Sequence, residues 1–172
     1  PGGVLVLTND AAATDANYLQ NTIECWQFQS GKALEFETRL KISDVTNTAL
    51  VAGLQITDTT PLAVADGVFF RKGEDDLYPD LVVCRNGTES VIALPDPMVD
   101  DTWVKLGFYF DGTDTVQAFV NDVRVGAVPI TNLPVTDPLD LAELLAISFG
   151  LLNSSATAHV LSIDYIRVRA QR

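Results

Sequence analysis

Hydrophobic residues recur at every second position over most of this chain, the period of strands with one buried face. In the run from Leu34 to Ile42, Leu34, Phe36, Leu40 and Ile42 share one side, and Glu35, Glu37, Arg39 and Lys41 share the other. That alternation suits a sheet with one wet face. From Thr102 to Phe110, Val104, Leu106, Phe108 and Phe110 form a second stripe. The turn Asp111-Gly112-Thr113-Asp114 follows, and Val116 to Val120 returns as a hairpin. Asn121-Asp122 turns once more into Val123 to Val128. Further strands are predicted over Val4 to Thr8, Ile23 to Phe28, Leu50 to Thr57, Val68 to Lys72, Leu81 to Arg85, Ser90 to Leu94, Ala146 to Leu151 and Val160 to Arg169. About ten short strands with turn chemistry between them predict an all-β protein, a two-sheet antiparallel sandwich of jelly-roll type. At most one short helix is expected, near 138–145, where Asp137 caps Pro138 and Asp140 and Glu143 place acid in the first turns. The polar, Ala-rich stretch Asn9 to Asn17 reads as a loop or a weak helical turn. No repeat or linker divides the sequence, so 1–172 is expected to be one domain. Residues 1–19 form its N-terminal strand and loop, packing on the sandwich or on a neighbour. Pro1 to Leu7 could add a strand to that neighbour, though an edge strand of its own sheet is the favoured reading.

Composition narrows the class. The chain has 172 residues, 47% hydrophobic and 20% charged, which is enough apolar surface to exclude a disordered acidic tail. Eleven Lys and Arg against 23 Asp and Glu give a formal charge of −12, which argues against nucleic acid as a partner. The acidity is uneven, because residues 165–172 carry Arg167, Arg169 and Arg172 and no acid. No apolar run reaches the roughly 18 residues that cross a bilayer, so no membrane contact is expected. The chain opens on Pro1 and not on methionine, consistent with a removed initiator or with a piece of a longer product. The sequons at Asn86 and Asn153 are short enough to arise by chance.

Candidate chemistry is sparse. Cys25 and Cys84 have no zinc-type spacing, and both read as small buried apolar residues, with a bridge between them the lesser alternative. His159 is the single histidine; it follows an Ala/Ser/Thr loop with no G-x-S-x-G elbow and reads as a surface or hairpin residue. Glu35 and Glu37, about 7 Å apart on one strand face, fall between the carboxyl separations of retaining and inverting glycosidases. Their neighbours Arg39 and Lys41 make a solvated charged face the favoured reading. The acids at Glu74 to Asp76 with Asp80, at Asp100 and Asp101, and at Asp111 and Asp114 match no EF-hand and suit turns, so no metal or cofactor is expected. Phe69 and Phe70 must point to opposite faces, and Trp103, Tyr109 and Phe119 oppose the apolar stripes of their own strands. Such two-sided strands are covered either by loops or by another subunit.

The segments Trp103 to Gly112 and Val116 to Gly126, with Leu34 to Arg39 and the ending Ile163 to Val168, resemble the laminin-G-like, concanavalin A-like lectin and glucanase sandwiches. The glucanase branch of that family carries its acids as Glu-x-Asp-x-x-Glu or Glu-x-Asp-x-Glu, and neither occurs here. The resemblance therefore implies the fold without that activity. Residues Gly53 to Leu62, Asp66 to Lys72 and Asp101 to Gly126 are also similar to tailed-phage virion proteins. That likeness implies a capsid decoration or cement protein on the virion exterior. It would be a homodimer or homotrimer clamping neighbouring major capsid proteins, and not an enzyme. The interaction candidates are then Val4, Leu5, Val6, Leu7, Phe69, Trp103, Tyr109, Phe119, Arg167, Arg169 and Arg172. The alternative is a carbohydrate-binding, lectin-like module of a virion or secreted protein.

Overall fold

The computed structural model describes residues 3–134 and 144–171. Within them the chain forms β1 (Leu5–Thr8), β2 (Ala16–Gln20), β3 (Leu34–Ile42), β4 (Thr48–Gln55), β5 (Gly67–Lys72) and β6 (Asp80–Arg85). These are followed by β7 (Thr88–Ala93), β8 (Val104–Phe110), β9 (Thr115–Val120), β10 (Val123–Pro129), β11 (Ala146–Asn153) and β12 (Val160–Ala170). The strands pair into two six-stranded sheets, ordered β1-β12-β3-β8-β9-β10 and β2-β11-β4-β5-β6-β7. Every pairing is antiparallel. The only helical pieces among the described residues are 3-10 turns at Pro61–Ala63 and Ile130–Asn132. The expected helix at 138–145 lies almost wholly outside the described residues, and its last residue, Leu145, pairs with Trp26 in a β-bridge.

Phenylalanine fills the space between the sheets. Phe36 stacks on Phe108 at 5.2 Å between centroids, and Phe28, Phe70, Phe110 and Phe149 pack around them. Their source is the period-two pattern: β3 alternates buried and half-buried over its whole length, with its charged residues on the outer side. The polar stretch Asn9 to Asn17, expected as a loop or a weak helical turn, is a loop with a turn as far as Asp15 and enters strand β2 at Ala16, at the edge of the second sheet. The side chain of Asn17 donates to the Thr8 carbonyl and the Asn9 side chain, tying that edge to β1. Conversely, the strand expected at Ile23 to Phe28 is reduced to isolated bridges.

The second sheet is covered on its outer face as well. Phe69 is fully buried with Val51, Val64, Val82 and Cys84 in a separate apolar cluster, against which Ile56 and Leu62 of the β4–β5 connection pack. Gly53 is required beneath it, since a Cβ there would lie 2.5 Å from the Phe69 Cα. At the other end of β5, Lys72 is fully buried. Its Nζ donates to the carbonyls of Val45 at 2.5 Å, Gly73 at 2.7 Å, Asp76 at 3.0 Å and Thr48. The ammonium thereby joins the β3–β4 connection to the β5–β6 loop. Burial pushes its pKa down to about 8, against which the nearby carboxylates pull upward.

Candidate functional site

A shallow cleft opens on the outer face of the first sheet. The strand pairings set three rows of side chains across it: Arg169, Glu35, Tyr109 and Gln117; Arg167, Glu37, Gly107 and Phe119; Tyr165, Arg39 and Lys105. In the middle row Gly107 contributes nothing, so the pleat there is a gap walled by its neighbours. The gap is a cleft of about 230 Å³ lined by Glu35, Glu37, Lys105, Tyr109, Phe119 and Asp122, with Phe36 and Phe108 at its floor. A Cβ on Gly107 would point into it, 3.2 Å from the Phe36 carbonyl oxygen and 3.7 Å from the Glu37 Cγ.

The carboxylates at the cleft are held and not freely solvated, contrary to the expectation for Glu35 and Glu37. Arg167 Nη2 donates to Glu35 Oε1 at 2.6 Å and to Glu37 Oε2 at 2.8 Å. The Tyr165 hydroxyl donates to Glu37 Oε1, and burial together with that bond raises the phenol pKa to about 12. On the opposite rim Lys105 Nζ holds Asp122 at 2.6 Å. Aromatic rings beside fixed carboxylates and a guanidinium suit a polyhydroxylated ligand: the rings cover C–H faces while the carboxylates accept from hydroxyls.

The candidates from the sequence divide. Tyr109, Phe119 and Arg167 meet at the cleft. Trp103 lies half-buried beneath cations, with Arg39 Cζ at 4.9 Å and Lys41 Nζ at 5.7 Å from its ring centre. Val4, Leu5 and Val6 are 45%, 42% and 52% exposed along the free edge of β1, but Leu7 turns inward and belongs to the core. Phe69 is corrected outright: it is 0% exposed, roofed by its own chain and not by a partner. Arg169 is exposed at the end of β12, and Arg172 lies outside the described residues. Cys84 is buried but Cys25 is exposed, so one of the two expected buried thiols is not. His159, expected as a surface or hairpin residue, lies in the connection between β11 and β12 but is only 3% exposed and shares a 3.0 Å hydrogen bond with Ser155. The turn acids serve backbone: Asp100 accepts from the Val45 N–H, Asp111 from Thr113 and Asp76 from Tyr78. Among the described residues no three potential ligands gather as a metal site. What the sequence reading passed over is Gly107, whose signal is a glycine at an outward position of a strand otherwise rich in large side chains.

No family model and no curated protein matches this chain. Solved structures do. SCLam, a non-specific endo-β-1,3(4)-glucanase of family GH16, superposes with a TM-score of 0.67 over 99% of this chain and 72% of its own, at 11% identity. An endo-1,3-β-glucanase from Streptomyces sioyaensis gives 0.66 over 98% and 76%, at 12% identity. The Emp46p carbohydrate recognition domain in its potassium-bound form gives 0.60 over 94% and 81%, at 10% identity. The fold is the concanavalin A-like sandwich. These neighbours also correct the expectation that the chain is not an enzyme, since endoglucanases are among the solved structures that share its fold. That expectation rested on a missing acid motif, and a missing motif removes one arrangement of catalytic groups, not the class.

Proposed function

We propose that this chain is a carbohydrate-binding protein and that the Gly107 cleft receives the sugar. The observation that carries the reading is the cleft itself: two aromatic rings and two anchored carboxylates converge where the sheet lacks a side chain. Support comes from the fold, which a carbohydrate recognition domain and endoglucanases also adopt. Calorimetric titration against a panel of oligosaccharides tests it. Wild type is expected to bind at least one glycan, and Tyr109→Ala and Phe119→Ala each to weaken that binding by about tenfold, the loss of one stacked ring. Unchanged affinity in both variants, or no glycan bound at all, overturns the reading. Reducing ends released in the same reactions would extend it from binding to hydrolysis.

A second reading rests on the free edge of β1, where Leu5 and Val6, with Val4 just before the strand, are exposed and β1 is paired only with β12. A structural virion protein clamping major capsid proteins, as a homodimer or homotrimer, would cover that edge. Co-sedimentation with capsids that is lost in a Leu5→Lys variant is the expected result; a monomer that never sediments with capsids counts against it.

A further inference from the structure

We propose that the carbonyl cage around Lys72 is a monovalent cation site, which the chain fills with its own ammonium and which takes potassium once that side chain is cut back. The cage belongs to the second sheet, apart from the Gly107 cleft, and stands whether or not that cleft binds sugar.

Four main-chain carbonyls converge on one point. Val45 accepts from Lys72 Nζ at 2.5 Å, Gly73 at 2.7 Å and Asp76 at 3.0 Å, with Thr48 the fourth. An ammonium has three protons, so the acceptors outnumber its donors. Carbonyl oxygens gathered around a charge in this way are the surroundings of a spherical cation, as where they replace the hydration shell of potassium. The spacing selects the ion. Calcium draws oxygens in to roughly 2.3–2.6 Å and recruits carboxylates, whereas the Gly73 and Asp76 oxygens stand farther off and all four ligands are neutral. Asp44, Glu74, Asp75 and Asp76 lie around the cage and favour a positive charge within it.

The oxygens are held in place by bonds that do not involve Lys72. Asp100 accepts from the Val45 N–H at 2.7 Å, and the Thr48 hydroxyl donates to the Asp44 carbonyl at 2.6 Å. The Asp75 N–H donates to the Thr46 carbonyl at 3.0 Å, which joins the two loops directly. Val45, Thr48 and Lys72 are all buried. A cage fixed by other bonds keeps its preference for a cation when the ammonium is gone.

The test is denaturant titration at pH 7 of the full chain, of Lys72→Ala and of Lys72→Met, each in potassium, n-propylammonium and tetramethylammonium chloride at equal ionic strength. Burial lowers the Lys72 pKa to about 8, so at pH 7 the wild-type cage holds ammonium. Propylammonium is the fragment that Lys72→Ala deletes, and the methyl groups of tetramethylammonium keep carbonyls away from its charge. In Lys72→Ala, exchanging tetramethylammonium for potassium is expected to restore about half of the lost midpoint, measured against the same exchange in wild type. Propylammonium is expected to restore at least as much. Lys72→Met ends in a methyl one bond short of the cage, which shuts an ion out, so its midpoint is expected to respond no more than wild type does. A Lys72→Ala midpoint no more responsive to potassium than that of wild type, or an equal gain in Lys72→Met, overturns the inference. Rescue by propylammonium alone also overturns it, since the packing of the stem and not a cation site would then have been lost. If Lys72→Ala does not fold in tetramethylammonium, its soluble yield on refolding in potassium is read in the same way, and a chain unfolded in all three salts counts against the inference.

Discussion

Gly107 does its work by lacking a side chain, and that makes it the most economical place to perturb the cleft. Its strand neighbours keep the sheet intact, so Gly107→Leu is expected to fill the gap and abolish glycan binding while thermal unfolding stays cooperative. Binding retained in that variant would place the site elsewhere. Tyr165 gives a second handle at this scale. Its phenol pKa is raised from 10.0 to about 12, first by burial and then by the bond to Glu37. The fold thus favours the protonated form more than the unfolded chain does. The corresponding stability is whole below about pH 10 and is lost as pH rises through about 12. Denaturant melts at pH 8 and pH 11 should therefore converge between wild type and Tyr165→Phe on the alkaline side. A gap between the two proteins that is the same at both pH values contradicts this.

At the scale of elements, the strands with strict alternation were legible because burial on one face imposes a period of two. Leu34 to Ile42 is recovered residue for residue. The failures lie where other forces act. Strand β2 carries too few large apolar residues to announce itself, and it is held as an edge by β11 and by Asn17. The stretch Ile23 to Phe28 looks like a strand, yet Ile23 is 72% exposed and only Phe28 enters the core fully. Phe69 and Phe70 were correctly separated to two faces, but sequence could not say that the β4–β5 connection folds over Phe69. Phe69→Ala is accordingly expected to cost about 3–5 kcal/mol by denaturant titration and to leave the subunit mass in solution unchanged. A mild cost with a changed mass would return Phe69 to an interface. Lys72→Met should also destabilise by about 3–5 kcal/mol, because it strands the carbonyls of Val45, Thr48, Gly73 and Asp76 inside the protein. A neutral or stabilising result would show that the ammonium costs more to bury than its four bonds return.

For the molecule as a whole, the acidic composition hides one face on which charges of both signs are paired. The outer face of the first sheet carries Arg39, Lys41, Lys105 and Arg167, each paired with an acid there. Three of the cleft residues were visible in the sequence as outward aromatics and a C-terminal arginine. Their meeting was not, because it depends on β12 lying beside β3: Arg167 and Glu37 are 130 residues apart. Long-range pairing, and not local pattern, builds the site, which is why Glu35 and Glu37 looked like an ordinary wet face. The acidic exterior and the uncovered β1 edge suit assembly on another protein, whereas the role proposed for the cleft calls only for a sugar. Amide chemical-shift mapping of the isotope-labelled chain during titration with a bound oligosaccharide separates these most directly. The account predicts shifts concentrated at Glu35, Glu37, Lys105 to Tyr109 and Gln117 to Phe119. Shifts confined to other surfaces, with those residues unmoved, would contradict it.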